Sequence, residues 1–577
     1  MKAYARYAAA IAAMLPLGHG SPLNARGNTS MVYDFSQRQN RWRLTHTQLT
    51  ASPSLAWSPC YNNFTCALLE VPRDYANKTA GTLNIAIIKK PGPTPNAQEV
   101  LVNPGGPGGS SVSMILSSSA AIEAKIGTDY SLVGIDPRGI NNSEPSSDCF
   151  PGYPFQTRNA ILEEPLGLAD ITSEKALKTH HQSLLGYGKW CSDMYAVNGT
   201  AQYASTVATA QDMQHYIQLR ATDMGKSGEE AKLWYYGISY GSILGSTFAS
   251  LYPERVGRMI IDGVLDLADY YDGGWETATD DSDKAAGYFF QQCFDAGPAL
   301  CLFHQNASSP QAIQDRYEAL LEDLKVNPFA VAQAIPDLEN PLTVPGALAP
   351  TPYVLQWTDI TSQFFATLYY LNPAFVVLMD YWLLALQNRD VAILSSITLK
   401  AQINNFSPSF DERMGRVLVV CLDSDGRSNY TEFEAYRGFV EGMHEDSRYG
   451  GLHVAALSGP VCSQMRVKAP ESQRFDGVPR VNETHTPILF VSSVADPVTP
   501  LSAARKMNEQ FPGSVLLVFD NVGHTAHFQS IACVSEHEKR YMRDGTLPPT
   551  DTVCEVEEPN PWIAFAKLSN VTGAAPL

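Results

Sequence analysis

The sequence lacks any long hydrophobic run and any excess of basic residues. No segment after residue 20 has about eighteen uncharged apolar residues in a row, the length that a membrane-spanning helix needs. The chain has 41 lysines and arginines against 59 aspartates and glutamates, which gives a net charge of −18. This charge repels the phosphates of nucleic acids and anionic lipids, so we expect neither nucleic-acid nor membrane partners.

Motifs for metals and nucleotides are also absent from the sequence. No two cysteines have the CxxC spacing of a zinc or redox site. No glycine-rich segment ends in Gly-Lys-Ser/Thr or has the GxGxxG pattern of a phosphate-binding loop. We therefore expect neither a metal nor a cofactor. A hydrophobic fraction of 44% with 17% charged residues is typical of a globular chain.

The first 20 residues have the pattern of an export signal. Lys2 and Arg6 come before a short apolar run at residues 8–17, and small residues follow it. A retained N-terminal anchor is the alternative. Ten Asn-x-Ser/Thr sequons favour a glycosylated, extracellular protein. Their asparagines are Asn28, Asn63, Asn77, Asn141, Asn198, Asn306, Asn405, Asn429, Asn482 and Asn570.

The ten cysteines are an even number, as a disulfide-bonded exported protein would have. Several of them lie close together in the sequence, which favours small disulfide loops. These close pairs are Cys60 with Cys66, Cys293 with Cys301, and Cys533 with Cys554.

Strand and helix patterns alternate in two separate parts of the chain. We expect a mostly parallel sheet flanked by helices, built from residues 21–265 and 481–577. The intervening residues 266–480 are aromatic-rich and mainly helical in pattern, and they predict a lid inserted before the last strands. The strands are predicted at residues 82–89, 100–102, 130–135, 233–236, 258–261, 487–492 and 514–519.

Gly237-Ile238-Ser239-Tyr240-Gly241 is a GxSxG pentapeptide between a predicted strand and a predicted helix at residues 242–251. This is the context of a nucleophile elbow, in which a strained turn exposes the serine hydroxyl above the sheet. The small glycines leave room for strand and helix to approach each other. A tight structural turn is the alternative. We predict Ser239 as the nucleophile.

A nucleophilic serine needs a base and an orienting acid, which in this fold follow in the order Ser, Asp/Glu, His. Asp496 and His524 come directly after two successive predicted strands, where both would reach the carboxyl edge of the sheet. We predict these two residues as acid and base. His527 is the rival base and Asp520 the rival acid.

The third component is a pair of N–H donors for the developing oxyanion. One donor should be the amide of Tyr240, the residue after the nucleophile. The glycine-rich loop at residues 102–110 follows an early strand, where the other donor is expected. A phosphate-binding loop is the alternative for this segment.

These motifs resemble the tripeptidyl aminopeptidase-like and prolyl aminopeptidase-like branch of the α/β-hydrolases, secreted by bacteria and fungi. The run GGPG at residues 105–108 is similar to the oxyanion loop of that branch, which implies Gly106 as the second donor. Pro104 stands where prolyl aminopeptidases carry a histidine, so the tripeptidyl group is the closer match. Further matches lie at residues 57–75, 136–139, 236–241, 257–259, 262–264 and 544–548.

Some matched residues are expected to be structural. We interpret Arg138 as a buried hydrogen-bonding strut and Asp212 as a packing partner rather than an acid catalyst. Lid aromatics such as Trp357, Phe364, Phe365, Tyr369 and Tyr370 are first of all core residues, although a few could line a pocket. Acidic candidates for the free amine of a peptide are, by composition alone, Glu441, Glu445 and Asp446.

The resemblance implies a secreted serine exopeptidase that releases short peptides from free N-termini through an acyl-enzyme on Ser239. An esterase, lactonase or amidase acting on a small metabolite is the alternative, because the same triad serves both reactions. A non-catalytic recognition domain is a remote third hypothesis, since such domains usually lose a triad member. The partner is thus a peptide or a small acyl substrate.

Overall fold

The computed structural model describes residues 43–44, 47–153, 155–163, 165–332, 352–396 and 409–571. The predicted export signal at residues 1–20 lies outside these residues. The sequons at Asn28 and Asn405 also lie outside them.

Of the fourteen strands in the described residues, ten form one sheet. They are Ser58–Cys60 (β3), Phe64–Pro72 (β4), Thr82–Lys90 (β5), Glu99–Asn103 (β6), Ser131–Ile135 (β7), Leu233–Ile238 (β8), Val256–Asp262 (β9), Leu489–Ala495 (β12), Val515–Val522 (β13) and Val553–Cys554 (β14). The other four form two small antiparallel pairs. These strands are Arg43–Leu44 (β1), Thr47–Gln48 (β2), Phe329–Val331 (β10) and Tyr353–Leu355 (β11).

The order of the large sheet is β14-β13-β12-β9-β8-β6-β7-β5-β4-β3. The strands from β14 to β7 in this order run parallel, whereas β5, β4 and β3 continue the sheet in antiparallel pairs. Strands β6 and β7 are buried along their whole length, as parallel strands covered on both faces should be. The predicted α/β-hydrolase fold with its mostly parallel sheet is confirmed.

Helices cover both faces of the sheet and extend over its carboxyl edge. Those in the first part of the chain are Ser111–Ile126 (α1), Phe155–Glu163 (α2), Glu174–Asn198 (α3), Thr206–Asp223 (α4) and Tyr240–Leu251 (α5). Those after β12 are Leu501–Gln510 (α15), Ala532–Asp544 (α16) and Pro561–Val571 (α17). Helices α1 and α16 pack together with the β6, β7 and β8 side chains of one face, while α4 and α5 cover the other.

Between β9 and β12 the chain leaves the sheet and forms a mainly helical segment, as predicted. Its helices are Leu267–Asp272 (α6), Ser282–Ala296 (α7), Pro310–Val326 (α8), Trp357–Tyr370 (α9), Pro373–Gln387 (α10), Val391–Ser396 (α11), Ser409–Ser424 (α12), Phe433–Asp446 (α13) and Gly451–Leu457 (α14). We call this segment the lid. Its division from the sheet domain at residues 266 and 480 stays a prediction.

All ten cysteines form disulfides, and none is free. The three close pairs predicted from the sequence are confirmed. Two longer loops are closed by Cys149–Cys191 and Cys421–Cys462. Each disulfide closes within the lid or within one of the two parts of the chain that flank it.

Over the described ranges, every helix is too short or too polar to cross a membrane.

Candidate active site

Ser239 lies on the sharp turn between β8 and α5. Its backbone has φ 59° and ψ −122°, a conformation that an L-residue rarely adopts, and α5 begins at the next residue. The helix therefore starts two residues earlier than the sequence pattern predicted. The Ser239 N–H donates to the carbonyl oxygen of Asp262 on the neighbouring strand at 2.9 Å, which fixes the turn to the sheet.

The glycines on either side of Ser239 are there because no side chain would fit. A Cβ atom on Gly237 would lie 2.4 Å from a ring carbon of Tyr235. One on Gly241 would lie 2.9 Å from the carbonyl oxygen of Asn103. Strand, turn and helix thus pack too closely for any residue larger than glycine, as the pentapeptide implied.

The structure brings Asp496 and His524 together at the carboxyl edge of the sheet. Asp496 follows β12 and His524 follows β13, and both side chains are buried. Nδ1 of His524 lies 2.9 Å from Oδ2 and 3.0 Å from Oδ1 of Asp496. The carboxylate also accepts N–H bonds from Val498, Thr499 and Thr525. This is the arrangement by which a carboxylate orients an imidazole and stabilises its protonated form.

Thr499 is a member of this group that the sequence pattern missed. Its hydroxyl donates to Oδ2 of Asp496 at 2.6 Å and lies 3.1 Å from Nδ1 of His524. The three side chains form a compact buried cluster, so Thr499 holds the carboxylate in place. Its position three residues after an aspartate, at the start of a helix, is the only local signal for this contact.

The two rival residues lie elsewhere. His527 is buried with Nδ1 3.4 Å from the Tyr236 hydroxyl, and burial lowers its pKa to about 4. Asp520 is exposed within β13, and among the described residues no contact joins it to His524. The structure therefore pairs Asp496 with His524 and brings neither rival to that pair.

Asp262, at the end of β9, connects the Ser239 turn to the loop that carries His524. Its carbonyl oxygen accepts the Ser239 N–H, and its carboxylate accepts the N–H groups of Ala526 at 2.9 Å and His527 at 2.7 Å. Burial raises the pKa of Asp262 to about 6, although these hydrogen bonds oppose the shift. One residue thus anchors two loops of the site, a role that the sequence pattern did not reveal.

The predicted oxyanion loop lies against the Ser239 turn. A Cβ atom on Gly105 would lie 3.0 Å from the Tyr240 nitrogen. Tyr240 is the first residue of α5, so its N–H has no acceptor within the helix. Gly106 follows with an exposed backbone at φ 113°. The loop therefore lies beside Ser239 at Gly105, and the roles of Gly106 and Tyr240 as oxyanion donors stay predictions.

The lid reaches the site through Tyr369, near the end of α9. Its carbonyl oxygen accepts the His524 N–H at 2.8 Å, and the two ring centroids are 4.3 Å apart. The Tyr369 hydroxyl lies beside the Ser239 side chain. Nε2 of His524 is buried without a hydrogen-bond partner in the part of the chain that the structure describes. The hydrogen bond between a nucleophilic serine and its histidine is often long in the free enzyme and commonly tightens only when substrate binds.

The residues interpreted as structural have that role. Arg138 is fully buried and donates to both carboxylate oxygens of Asp212 at 2.7 Å and to the carbonyls of Pro72 and Arg73. The prediction that Arg138 is a buried, hydrogen-bonding structural residue is confirmed. Trp357, Phe364 and Phe365 are buried in the core, as expected. The acidic residues Glu441, Glu445 and Asp446 are exposed on α13, and no contact joins them to Ser239, Asp496 or His524 within the described ranges.

One group of potential metal-ligand atoms exists in the described residues, formed by Cys533, His537 and Cys554. Both of its sulfur atoms belong to one disulfide, so neither can act as a thiolate ligand.

Comparison with known proteins shows relatives along most of the chain. The family described as TAP-like protein matches residues 452–554. Serine protease Hip1 of Mycobacterium tuberculosis is 26% identical over 86% of this chain and 90% of its own. Tripeptidyl aminopeptidase of Streptomyces lividans is 23% identical over 90% of this chain and 89% of its own.

The predicted resemblance to the tripeptidyl aminopeptidase-like branch of the α/β-hydrolases is confirmed. The fold and these relatives support a serine hydrolase of the peptidase kind. Carboxylesterase B of Mycobacterium tuberculosis, 25% identical over 87% of this chain, shows that relatives of this branch also carry an esterase name.

Proposed function

We propose that this protein is a serine exopeptidase that releases short peptides from free N-termini. The observation that carries the proposal is the buried Asp496–His524 pair, which lies with the Ser239 turn at one edge of the sheet. Two relatives carry the names of a serine protease and a tripeptidyl aminopeptidase, and they match nearly the whole chain.

In this proposal the Ser239 oxygen attacks the carbonyl carbon of the scissile bond while Nε2 of His524 takes its proton. Asp496 holds the imidazole and stabilises its positive charge. The N–H groups of Gly106 and Tyr240 bind the carbonyl oxygen as it becomes negative, each lowering the barrier by roughly 3 kcal/mol. His524 then protonates the leaving amine, and water attacks the acyl-enzyme by the reverse route.

We further propose that the chain is exported through the predicted signal at residues 1–20 and is glycosylated. The five disulfides fit an oxidising compartment. Six sequon asparagines are exposed, as glycosylation requires. They are Asn63, Asn77, Asn141, Asn306, Asn429 and Asn482.

The experiment compares tripeptidyl p-nitroanilides with free and acetylated N-termini, together with a short-chain p-nitrophenyl ester. We expect the free peptides to be cleaved with a kcat/KM at least 100-fold above that of the acetylated ones, a ratio on the order of one desolvated charged contact. We expect Ser239→Ala to abolish both activity and labelling by a fluorophosphonate, while Ser242→Ala on the same helix keeps the label.

An esterase is the second candidate, because one relative bears the name carboxylesterase. Turnover of the ester alone, with no release from any free peptide, would replace the exopeptidase by this candidate. Labelling of the Ser239→Ala variant to the wild-type extent would overturn both.

A further inference from the structure

Helix α12 of the lid is held closely over the oxyanion loop. A Cβ atom on Gly108 would lie 2.2 Å from the carbonyl oxygen of Glu412, so the two backbones meet with no room for a side chain. Further along the same helix, a Cβ atom on Gly415 would lie 2.6 Å from a methyl carbon of Ile140. These two contacts fix the first turns of α12 against the catalytic edge of the sheet.

Arg416 lies one helical turn after Glu412, whose carboxylate acts on its charge, but within the described residues its guanidinium forms no ion pair. Its Nε atom is buried without a hydrogen-bond partner, and within the described ranges no ion pair or hydrogen bond of this side chain is found. Burial and the neighbouring charge of Arg413 lower the pKa of Arg416 to about 10, so it still carries its charge at neutral pH. The side chain is only partly buried, but a cation with a buried nitrogen that lacks a hydrogen-bond partner is costly, and proteins usually pair such a group.

The groups near Arg416 connect it to the nucleophile. Its charge acts on the hydroxyls of Tyr187 and Tyr369, and Tyr369 lies beside Ser239 and against the His524 ring. The Tyr187 hydroxyl is also buried without a partner in the described part of the chain. The Arg416 Nε and the Tyr187 hydroxyl are therefore two buried donors without an acceptor among the described residues, and Arg416 lies one turn after the contact of α12 with the oxyanion loop.

We propose that Arg416, assisted by the Tyr187 hydroxyl, binds a carboxylate of the substrate close to the scissile bond. A guanidinium and a hydroxyl match the two oxygens of a carboxylate and would satisfy both unpartnered donors at once. The inference rests on the proposed exopeptidase function, because peptides offer this group in two places. The carboxylate that Arg416 binds would belong either to the side chain of an acidic residue or to the C-terminus of a short peptide.

Two substrate pairs separate these sources. Ala-Ala-Glu-p-nitroanilide against Ala-Ala-Gln-p-nitroanilide tests a carboxylate on the acyl side. A tetrapeptide with a free C-terminus against its C-terminal amide tests one on the leaving side. We expect the wild type to prefer the carboxylate in one pair by roughly 10- to 100-fold in kcat/KM, the range of a charge-assisted hydrogen bond.

The same ratio is then measured in variants. We expect Arg416→Gln to bring it close to one and Arg416→Lys to keep part of it, since a lysine keeps the charge without the planar donor geometry. Arg437→Gln removes the same charge from the exposed face of α13, and it should leave the ratio at the wild-type value. Fluorophosphonate labelling of Ser239 checks that each variant is folded.

A ratio near one in both wild-type pairs would overturn the proposal. So would an Arg416→Gln enzyme that loses activity on both members of a pair equally, because the ratio would then be unchanged. If no peptide is cleaved, the exopeptidase function fails on its own. The p-nitrophenyl half-ester of glutaric acid against its methyl ester then measures the same preference and its loss in Arg416→Gln.

Discussion

The sheet edge and the lid build the site with different kinds of contact. At the sheet edge, buried carboxylates bind the loops together, as Asp496 does for His524 and Asp262 for the backbone of residues 526–527. The lid instead meets the site through two backbone carbonyls, those of Tyr369 and Glu412 facing His524 and Gly108, and through the Tyr369 ring against His524. Backbone contacts depend little on residue identity, so other lid side chains are free for roles such as the one that we propose for Arg416.

The largest expected effect is on kcat/KM and concerns Asp496, the buried carboxylate at the edge of the sheet. We expect Asp496→Asn to lower kcat/KM by about 10,000-fold, because an amide can neither hold the required histidine tautomer nor stabilise the imidazolium. Asp520→Asn, on the neighbouring strand, is the matched control and should stay within about twofold of wild type, since such surface substitutions have small effects. A larger loss for Asp520→Asn than for Asp496→Asn would show that Asp520, and not Asp496, is the acid that orients the histidine.

The contact of the lid with His524 should have an intermediate effect. We expect Tyr369→Ala to lower kcat by about 100-fold with a smaller change in KM, since losing the ring frees the imidazole to leave its reactive position. Tyr369→Phe keeps the ring and should retain most of the kcat. Both variants keep the backbone hydrogen bond, so equal losses in the two would show that the hydroxyl, and not the ring, is what matters.

The smallest expected effect is on the stability of the fold and concerns Glu538, on helix α16. Burial raises the pKa of Glu538 to about 8, an effect that Lys125 opposes and Asp262 strengthens, and neither carboxylate oxygen has a hydrogen-bond partner among the described residues. The folded protein therefore keeps a proton that the unfolded chain loses above the ordinary glutamate pKa of about 4.3. Stability should fall as the pH rises from there through about 8.

We expect Glu538→Gln to unfold at a higher temperature than wild type at pH 9, by a few degrees, with the difference vanishing near pH 4. Thermal unfolding followed by circular dichroism at both pH values measures this. Glu536→Gln, exposed on the same helix, should show no such pH dependence. A difference of equal size at both pH values would mean that the glutamate is not protonated in the fold.

Most of the sheet could be predicted because its strands are short apolar runs that end in turn residues. Ser239, Asp496 and His524 could be found for a related reason, since each follows a strand at the same edge. The helix predicted at residues 242–251 is present as α5, which begins two residues earlier and ends at the predicted residue. Helices α1 and α3 were missed, because serine-rich and mixed polar segments such as Ser111–Ile126 carry a weak apolar periodicity.

The positions of two further residues at the site depend on tertiary packing. Asp262 and Tyr369 contact the His524 loop from segments far away in the chain, and no local spacing records such a contact. Asp262 illustrates this, because its partners are some 260 residues away in the sequence. Local patterns thus predict Ser239, Asp496 and His524 as the reacting groups, whereas the residues that position them depend on tertiary packing.

The pairing of the disulfides leaves the lid without a covalent cross-link to the rest of the chain. Cys293–Cys301 and Cys421–Cys462 close entirely between β9 and β12, and the other three close entirely outside that segment. A lid of this kind carries its own cross-links and shares none with its host. Replacing the whole segment between β9 and β12 would therefore leave no unpaired cysteine on either side of the junction.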